Sequence, residues 1–324
     1  MTAGDPDNGA PRREVLRDDN TPLFSLPAGE GSGAMLAAAA GDVAGGADPR
    51  AYSWVTQTAT VVAYHLLEND GVDPEALVEE WQLVDHTESG IRCYRAESKD
   101  FRRFLDSGRP VDTPSSEPAS RIGPVGVWFR RRPDRLVEAA IELTRITHSD
   151  PSTIVVTAAT AGAVAAACFA QIGRDLVYAA VETGRQALQA LGDSQPAEGW
   201  LDLLEEAAGL VLEPPRETIV RVGGPEGPVG LRGALAGIVL ASAPLVEPVK
   251  AIEAGAMAGG SEVGAVVGSI VGARVGLRRW PWPVANDTWF AEIGRRMVDG
   301  SRETRDLPIP FAVEERMTVE LNRR

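Results

Sequence analysis

Residues 262–276, EVGAVVGSIVGARVG, place a glycine at every fourth position, at Gly264, Gly268, Gly272 and Gly276. Because residues four apart lie on the same face of a helix, these glycines predict a helix with one smooth stripe. A stripe of small residues allows a neighbouring backbone to approach closely. We therefore expect this segment to be a closely packed helix of the core.

Helical signals also dominate the rest of the chain, and no alternating strand pattern runs for long. Asp73-Pro74 has a capping residue followed by a proline at the first helical position. Residues 153–170, TIVVTAATAGAVAAACFA, are long enough to span a membrane. Their Ala- and Thr-rich composition gives a weak drive for insertion, so we favour a buried helix. The predicted fold class is all-α, in a compact multi-helix domain.

The domain organisation is predicted from where the apolar period starts and stops. Residues 1–28 contain Gly, Pro, Asp, Asn and Arg without a sustained apolar period, which is typical of a disordered tail. We expect one folded domain over residues 29–299. Residues 300–324 are charged, and we predict a loose C-terminal tail there.

Charge and cysteine content narrow the partners and the compartment. The formal net charge of −14 disfavours binding to nucleic acid or to an anionic membrane, so we expect neither. The two cysteines are too few for a disulfide framework and have no zinc-site spacing. No signal-peptide pattern is present at the N-terminus. These features favour a cytoplasmic protein.

Five segments, in their order and spacing, resemble the ADP-ribosylglycohydrolase family. They are 33–45 (GAMLAAAAGDVAG), 54–69 (WVTQTATVVAYHLLEN), 121–129 (RIGPVGVWF), 146–151 (ITHSDP) and 257–276 (MAGGSEVGAVVGSIVGARVG). The resemblance implies an all-α fold that binds two magnesium ions. In the family these ions help to position ADP-ribose and to activate attack on its ribose.

The resemblance also implies where the magnesium ligands would lie, and they are replaced here. The family's Thr-Asp-Asp-Thr motif corresponds to residues 53–56, Ser-Trp-Val-Thr. Its Asp-x-Asp-Thr motif corresponds to residues 259–262, Gly-Gly-Ser-Glu, and no aspartate lies anywhere between Ala251 and Gly276. Since magnesium requires oxygen ligands, we expect no bound metal, no cofactor and no catalytic residue of the family's kind.

A third departure concerns the segment before Arg121. Relatives carry a Gly-Asn-Gly-type turn there, whose backbone N–H groups approach the phosphates of the ligand. This chain has Ser115-Ser116-Glu117-Pro118 instead, at the end of a polar, three-proline stretch over residues 107–120. Glu117 adds negative charge and Pro118 has no N–H to donate. Residues 107–120 are either a functional loop or a surface connector.

His148 is the remaining candidate for a ligand contact, because it matches a family position at the pocket. The alternative is a histidine at a helix end that bonds to a neighbouring backbone group. Asp42 also matches a family position, but we favour a role in capping a backbone turn. A rebuilt metal site would have to use other acids, namely Asp48, Glu68, Asp150 and Glu262.

Three functions remain open. The leading hypothesis is a catalytically inactive family member, a pseudoenzyme that binds an ADP-ribose-like small molecule or a protein partner in the former active-site cleft. The second is an active ADP-ribosyl hydrolase with a rebuilt or metal-free site. The third is a structural or assembly protein, in which exposed Trp280 and Trp282 would anchor a partner, although core packing explains these two residues as well.

Overall fold

The computed structural model describes residues 29–46, 48, 51–192, 194–224, 227 and 229–323. The tail predicted over residues 1–28 lies outside them. The helices are α1 (Gly29–Gly45), α2 (Trp54–Asn69), α3 (Pro74–Asp85), α4 (Lys99–Ser107), α5 (Glu117–Ser120), α6 (Gly123–Trp128), α7 (Pro133–Thr147), α8 (Pro151–Ala167), α9 (Arg174–Leu191), α10 (Gln195–Ala207), α11 (Pro215–Gly223), α12 (Leu231–Ser242), α13 (Pro248–Val275), α14 (Asp287–Asp299) and α15 (Pro310–Asn322). A 3-10 turn spans Ala208–Leu212, and the β-structure of these ranges amounts to two isolated bridges. The all-α prediction is confirmed.

Helices α1 and α13 make the most extensive helix–helix contact in the described part of the chain. Gly264 of α13 faces Gly41 of α1, and Gly272 faces Gly33. A Cβ atom added to Gly264 would lie 2.8 Å from the carbonyl carbon of Gly41, closer than side chains pack. The glycine stripe is therefore a close-packing surface, as its spacing predicts.

Helix α8 lies in the core, and every one of its residues after Pro151 is buried. The prediction of a buried helix in this stretch is confirmed. By length and composition, α13 is the one helix in the described ranges that could cross a membrane, but 67% of its most apolar window is buried inside the protein. It packs against α1 and α12, and a non-helical break at Gly259 and Gly260 divides it.

The C-terminal segment differs from its prediction as a loose tail. Residues 310–322 form α15, which packs on α2 and α3. Val313 and Met317 are buried on one face of this helix, and between them Glu314 is buried too. A high density of charge is typical of a solvent-exposed segment, so the sequence predicted a loose tail. In the structure Glu314 of this helix is buried in the protein.

Burial bears on two other expectations, and for Trp280 and Trp282 it agrees with the core-packing alternative. Trp280 is buried in the core rather than exposed, and Trp282 is half-buried against it. The stretch 107–120 is not wholly a surface loop, because its end forms the short helix α5. Ser116 and Glu117 are buried there. In both cases tertiary packing buries the side chains, and the composition of a short segment does not predict that burial.

Candidate functional site

The family resemblance sets residues 53–56 and 259–262 at the positions of the two metal motifs, and both segments contribute to one cleft of about 360 Å³. The cleft is lined by Gly45, Gly46, Asp48, Ala51, Tyr52, Ser53, Trp54, Arg95, Ala96, Gly259, Ser261 and Glu262. The start of α2 forms one wall and the break in α13 forms the other. The two segments that are far apart in sequence therefore lie side by side in the fold.

The first wall is held by capping of α2. Ser53 accepts a hydrogen bond from the backbone N–H of Val55. Asp42, buried in α1, accepts hydrogen bonds from the backbone N–H groups of Ser53 and Thr56 and from the Thr56 hydroxyl, at 2.7–3.1 Å. Asp42 has the capping role that the sequence predicts. Burial raises the pKa of its carboxyl group, and these hydrogen bonds partly oppose the shift.

Trp54 and Val55, at the positions of the family's first aspartate pair, belong to the core. Val55 is 0% exposed. The ring of Trp54 stacks on Phe101, with 5.1 Å between the ring centroids. Neither side chain offers an oxygen to a cation, whereas magnesium requires oxygen ligands.

The second wall is shaped by the break in α13. Gly260 has a φ of +65°, a conformation that favours glycine, and its carbonyl carbon lies against Gly45 of α1. Ser261 donates a hydrogen bond to the backbone oxygen of Asp42, at 3.1 Å. The Glu262 carboxylate accepts a 2.6 Å hydrogen bond from the Ser116 hydroxyl. The one carboxylate of this motif is thus tied to the segment before Arg121.

The described residues do not fit a pair of magnesium ions. They contain no group of three or more His, Cys, Asp or Glu side chains that could hold a metal ion. Of the acids available for a rebuilt site, Glu262 and Asp48 line the cleft. Glu68 instead accepts a hydrogen bond from Thr304, and Asp150 caps α8 through the Thr153 N–H.

A cluster of buried charged groups lies behind Glu262. The Arg121 guanidinium is wholly buried, donates to the Thr147 hydroxyl, and has its central carbon 5.3–5.9 Å from the centres of three aromatic rings. Burial lowers the pKa of Arg121 to about 10, against the opposing effect of Glu117 and Glu262. Burial raises the pKa of Glu117 to about 7, and the nearby Glu262 carboxylate adds to the shift.

His148 lies at the back of this cluster. It is wholly buried, its Nδ1 is 3.0 Å from the Thr147 hydroxyl, and its Nε2 is 3.9 Å from a Glu117 oxygen. Burial lowers its pKa to about 3, with Arg121 adding to the shift, so the ring is neutral at pH 7. His148 is not among the residues that line the cleft. Its role as a ligand contact stays a prediction.

Sequence reasoning missed Arg95, the cationic side chain among the described lining residues. Its Nη2 donates to the Glu314 carboxylate at 2.8 Å, and its Nε donates to the Tyr52 backbone oxygen at 2.9 Å. Glu314 also accepts hydrogen bonds from the Tyr52 hydroxyl and the Gln57 amide, at 2.8 and 2.7 Å. These partners lie more than 200 residues apart in sequence, so no local pattern pointed to them.

Comparison with known proteins agrees with this architecture. A sequence model of the ADP-ribosylglycohydrolase family matches residues 28–306. A solved structure described as an ADP-ribosylglycohydrolase-related protein complex superposes with a TM-score of 0.61 at 20% identity, over 85% of this chain and 100% of the other. At that identity the likeness concerns the fold alone. A search of curated proteins gave no match.

Proposed function

The chain belongs to the ADP-ribosylglycohydrolase family, and from that premise we propose that it binds a nucleotide-like ligand in the family's cleft without metal-dependent hydrolysis. It would be a pseudoenzyme for the reaction of its relatives. The observation that carries the proposal is the burial of Trp54 and Val55, which stand where the family holds its first aspartate pair. Core side chains at this place leave no ligands for a catalytic ion.

The cleft itself supports binding. Its volume of about 360 Å³ is in the range of small-molecule sites. Among its described lining residues, Ser53 and Ser261 carry hydroxyl groups, Glu262 carries a carboxyl group and Arg95 carries a guanidinium. A small number of placed polar groups is what fixes the orientation of a ligand in such a site. We therefore favour an ADP-ribose-like ligand over a purely structural role.

The proposed compartment is the cytoplasm. Cys93 and Cys168 are both free thiols. Cys168 is largely shielded, and burial raises its pKa to about 12, which keeps it protonated and unreactive. Free cysteines without a disulfide fit a reducing compartment.

A thermal-shift measurement tests the proposed function. The purified full chain is heated with ADP-ribose, or with its phosphate-free fragment adenosine, with and without magnesium. A ligand that binds only the folded state raises the melting temperature. We expect at least one ligand to raise it by the same amount with and without magnesium. A shift that needs magnesium would contradict the proposal, and no shift with either ligand would overturn small-molecule binding and direct the search to a protein partner.

A further inference from the structure

The C-terminal helix α15 lies beyond residues 28–306, which match the family, yet one of its side chains reaches the wall of the cleft. Glu314 on this helix is 1% exposed, and its carboxylate lies 2.8 Å from the guanidinium of Arg95, which lines the cleft. A charged group at this depth needs hydrogen-bonding partners to offset the loss of water. The partners of Glu314 therefore indicate what α15 contributes to the cleft.

Three donors from two other segments converge on the Glu314 carboxylate. One oxygen accepts a 2.8 Å hydrogen bond from the Tyr52 hydroxyl, and the other accepts from the Gln57 amide at 2.7 Å and from Arg95 at 2.8 Å. Tyr52 and Gln57 lie at the start of α2, whereas Arg95 lies between α3 and α4. Hydrogen bonds to an ionised carboxylate are stronger than those between neutral groups. Glu314 therefore joins the two segments at one point.

The same two segments are also bonded directly to each other, through the side chains that Glu314 holds. Gln57 accepts a hydrogen bond from the backbone N–H of Arg95 at 3.0 Å, and Arg95 Nε donates to the Tyr52 backbone oxygen at 2.9 Å. The Arg95 carbonyl in turn accepts from the Trp54 backbone N–H at 2.8 Å. Gln57 and Arg95 each use one group for Glu314 and another for the backbone. Fixing them on Glu314 therefore also fixes the backbone beside the cleft.

Ala96, which follows Arg95, lines the cleft in an unfavourable backbone conformation. Its φ of +51° lies in the left-handed region, where the Cβ atom is crowded by the backbone. A residue keeps such a conformation only where its surroundings hold it. The hydrogen bonds on the backbone and on the guanidinium of Arg95 supply that restraint. Without them the chain at Ala96 would relax toward negative φ and change the shape of the cleft.

We infer that Glu314 is a positioning residue for the cleft, and that it holds Arg95 and Ala96 in the shape in which a ligand contacts them. The inference rests on the proposed function, because it concerns the site of the same ligand. Glu314 acts through Arg95 and Gln57 and is not among the described residues that line the cleft. The inference concerns the shape of the wall, so it applies to a charged and to an uncharged ligand alike. The C-terminal helix is thereby part of the binding site.

Hydrogen exchange on the ligand-free protein tests the contact itself. Glu314→Gln keeps the size of the side chain but removes its charge, so the amides of Trp54 and Arg95 should exchange about tenfold faster. Amides of α8 in the core should keep their rate, because the opening is local. Glu320→Gln is the matched control, since it makes the same chemical change at an exposed position of α15. Exchange at Trp54 and Arg95 no faster than in the control, or an equal acceleration in α8, would overturn the inference whether or not a ligand binds.

Calorimetry with adenosine and with ADP-ribose tests the consequence for binding. We expect Glu314→Gln to weaken the affinity of whichever probe binds by about tenfold, at a temperature where the variant is folded. Val313→Ala removes buried packing from the same helix but leaves the carboxylate, so it should lower stability without changing the affinity. An equal loss of affinity in Val313→Ala, or an unchanged affinity in Glu314→Gln, would overturn the positioning role and leave the proposed function intact. Binding of neither probe to the unmodified protein would overturn both.

A second variant covers the case in which Glu314→Gln does not fold. Glu314→Asp keeps the negative charge and withdraws the carboxylate by one methylene group, which lengthens its three hydrogen bonds. We expect the affinity of the same probe to fall severalfold in this variant. An affinity equal to that of the unmodified protein would overturn the inference.

Discussion

Replacing Gly268 with alanine tests whether the contact between α1 and α13 organises the fold. A Cβ atom at this position would lie 2.6 Å from the carbonyl carbon of Ala37 and 2.9 Å from the Cα of Ala38. Both atoms are backbone, so no side chain can rotate away, and the two helices would have to separate. Overpacking of this kind costs about 1–3 kcal/mol, and separation also weakens the contacts along the rest of the stripe.

Alanine also favours a helix over glycine, by about 1 kcal/mol, which acts in the opposite direction. The exposed Gly199 in α10 separates the two effects, because an added Cβ atom meets nothing within 4 Å there. We expect Gly199→Ala to stabilise the protein by up to about 1 kcal/mol and Gly268→Ala to destabilise it by up to about 2 kcal/mol, because the helix-propensity gain offsets about 1 kcal/mol of the overpacking cost. Urea denaturation measures both values. A Gly268→Ala protein as stable as the Gly199→Ala protein would refute the reasoning.

Two further predictions concern the buried acids. Glu117 has a pKa near 7 in the folded protein, above its ordinary value, so its contribution to stability is complete at low pH and is lost as the pH rises through 7. Urea melts should therefore show Glu117→Gln gaining about 2–3 kcal/mol relative to the unmodified protein between pH 5 and pH 8; an unchanging difference would contradict the raised pKa. Asp42→Ala should cost about 2–4 kcal/mol, because it leaves buried N–H groups at the start of α2 without an acceptor. Asp73→Ala, which removes an exposed cap, should cost only about 1 kcal/mol in the same assay; equal losses would argue against the buried role of Asp42.

The helical fold could be predicted because the sequence signals for a helix lie within a few residues of one another. The four-residue spacing of glycine in α13 and the Asp73-Pro74 start of α3 each follow from the geometry of one helix. The cleft could be located as well, since residues 53–56 and 259–262 were identified by their resemblance to two family motifs. What the sequence could not report is which side chains from distant segments meet.

The missed features all depend on such meetings. In the sequence, Glu314 is one of many charged residues in a polar C-terminal segment. Its hydrogen bonds with Tyr52 and Arg95 form only in the folded protein. Glu117 was predicted to repel phosphate, but its burial and raised pKa depend on helices that pack around it. A charged residue reads as exposed in a sequence, and only tertiary structure identifies the few that are not.

The central claim is that the cleft works without the family's metal ions, and a calorimetric titration of magnesium into the metal-free protein tests it most directly. The titration is run with and without saturating adenosine, so that a site completed by a ligand is also detected. We expect no saturable heat in the millimolar range, because Trp54 and Val55 occupy the first ligand positions. Saturable binding of magnesium, lost when Glu262 is changed to glutamine, would contradict the account and identify a rebuilt metal site.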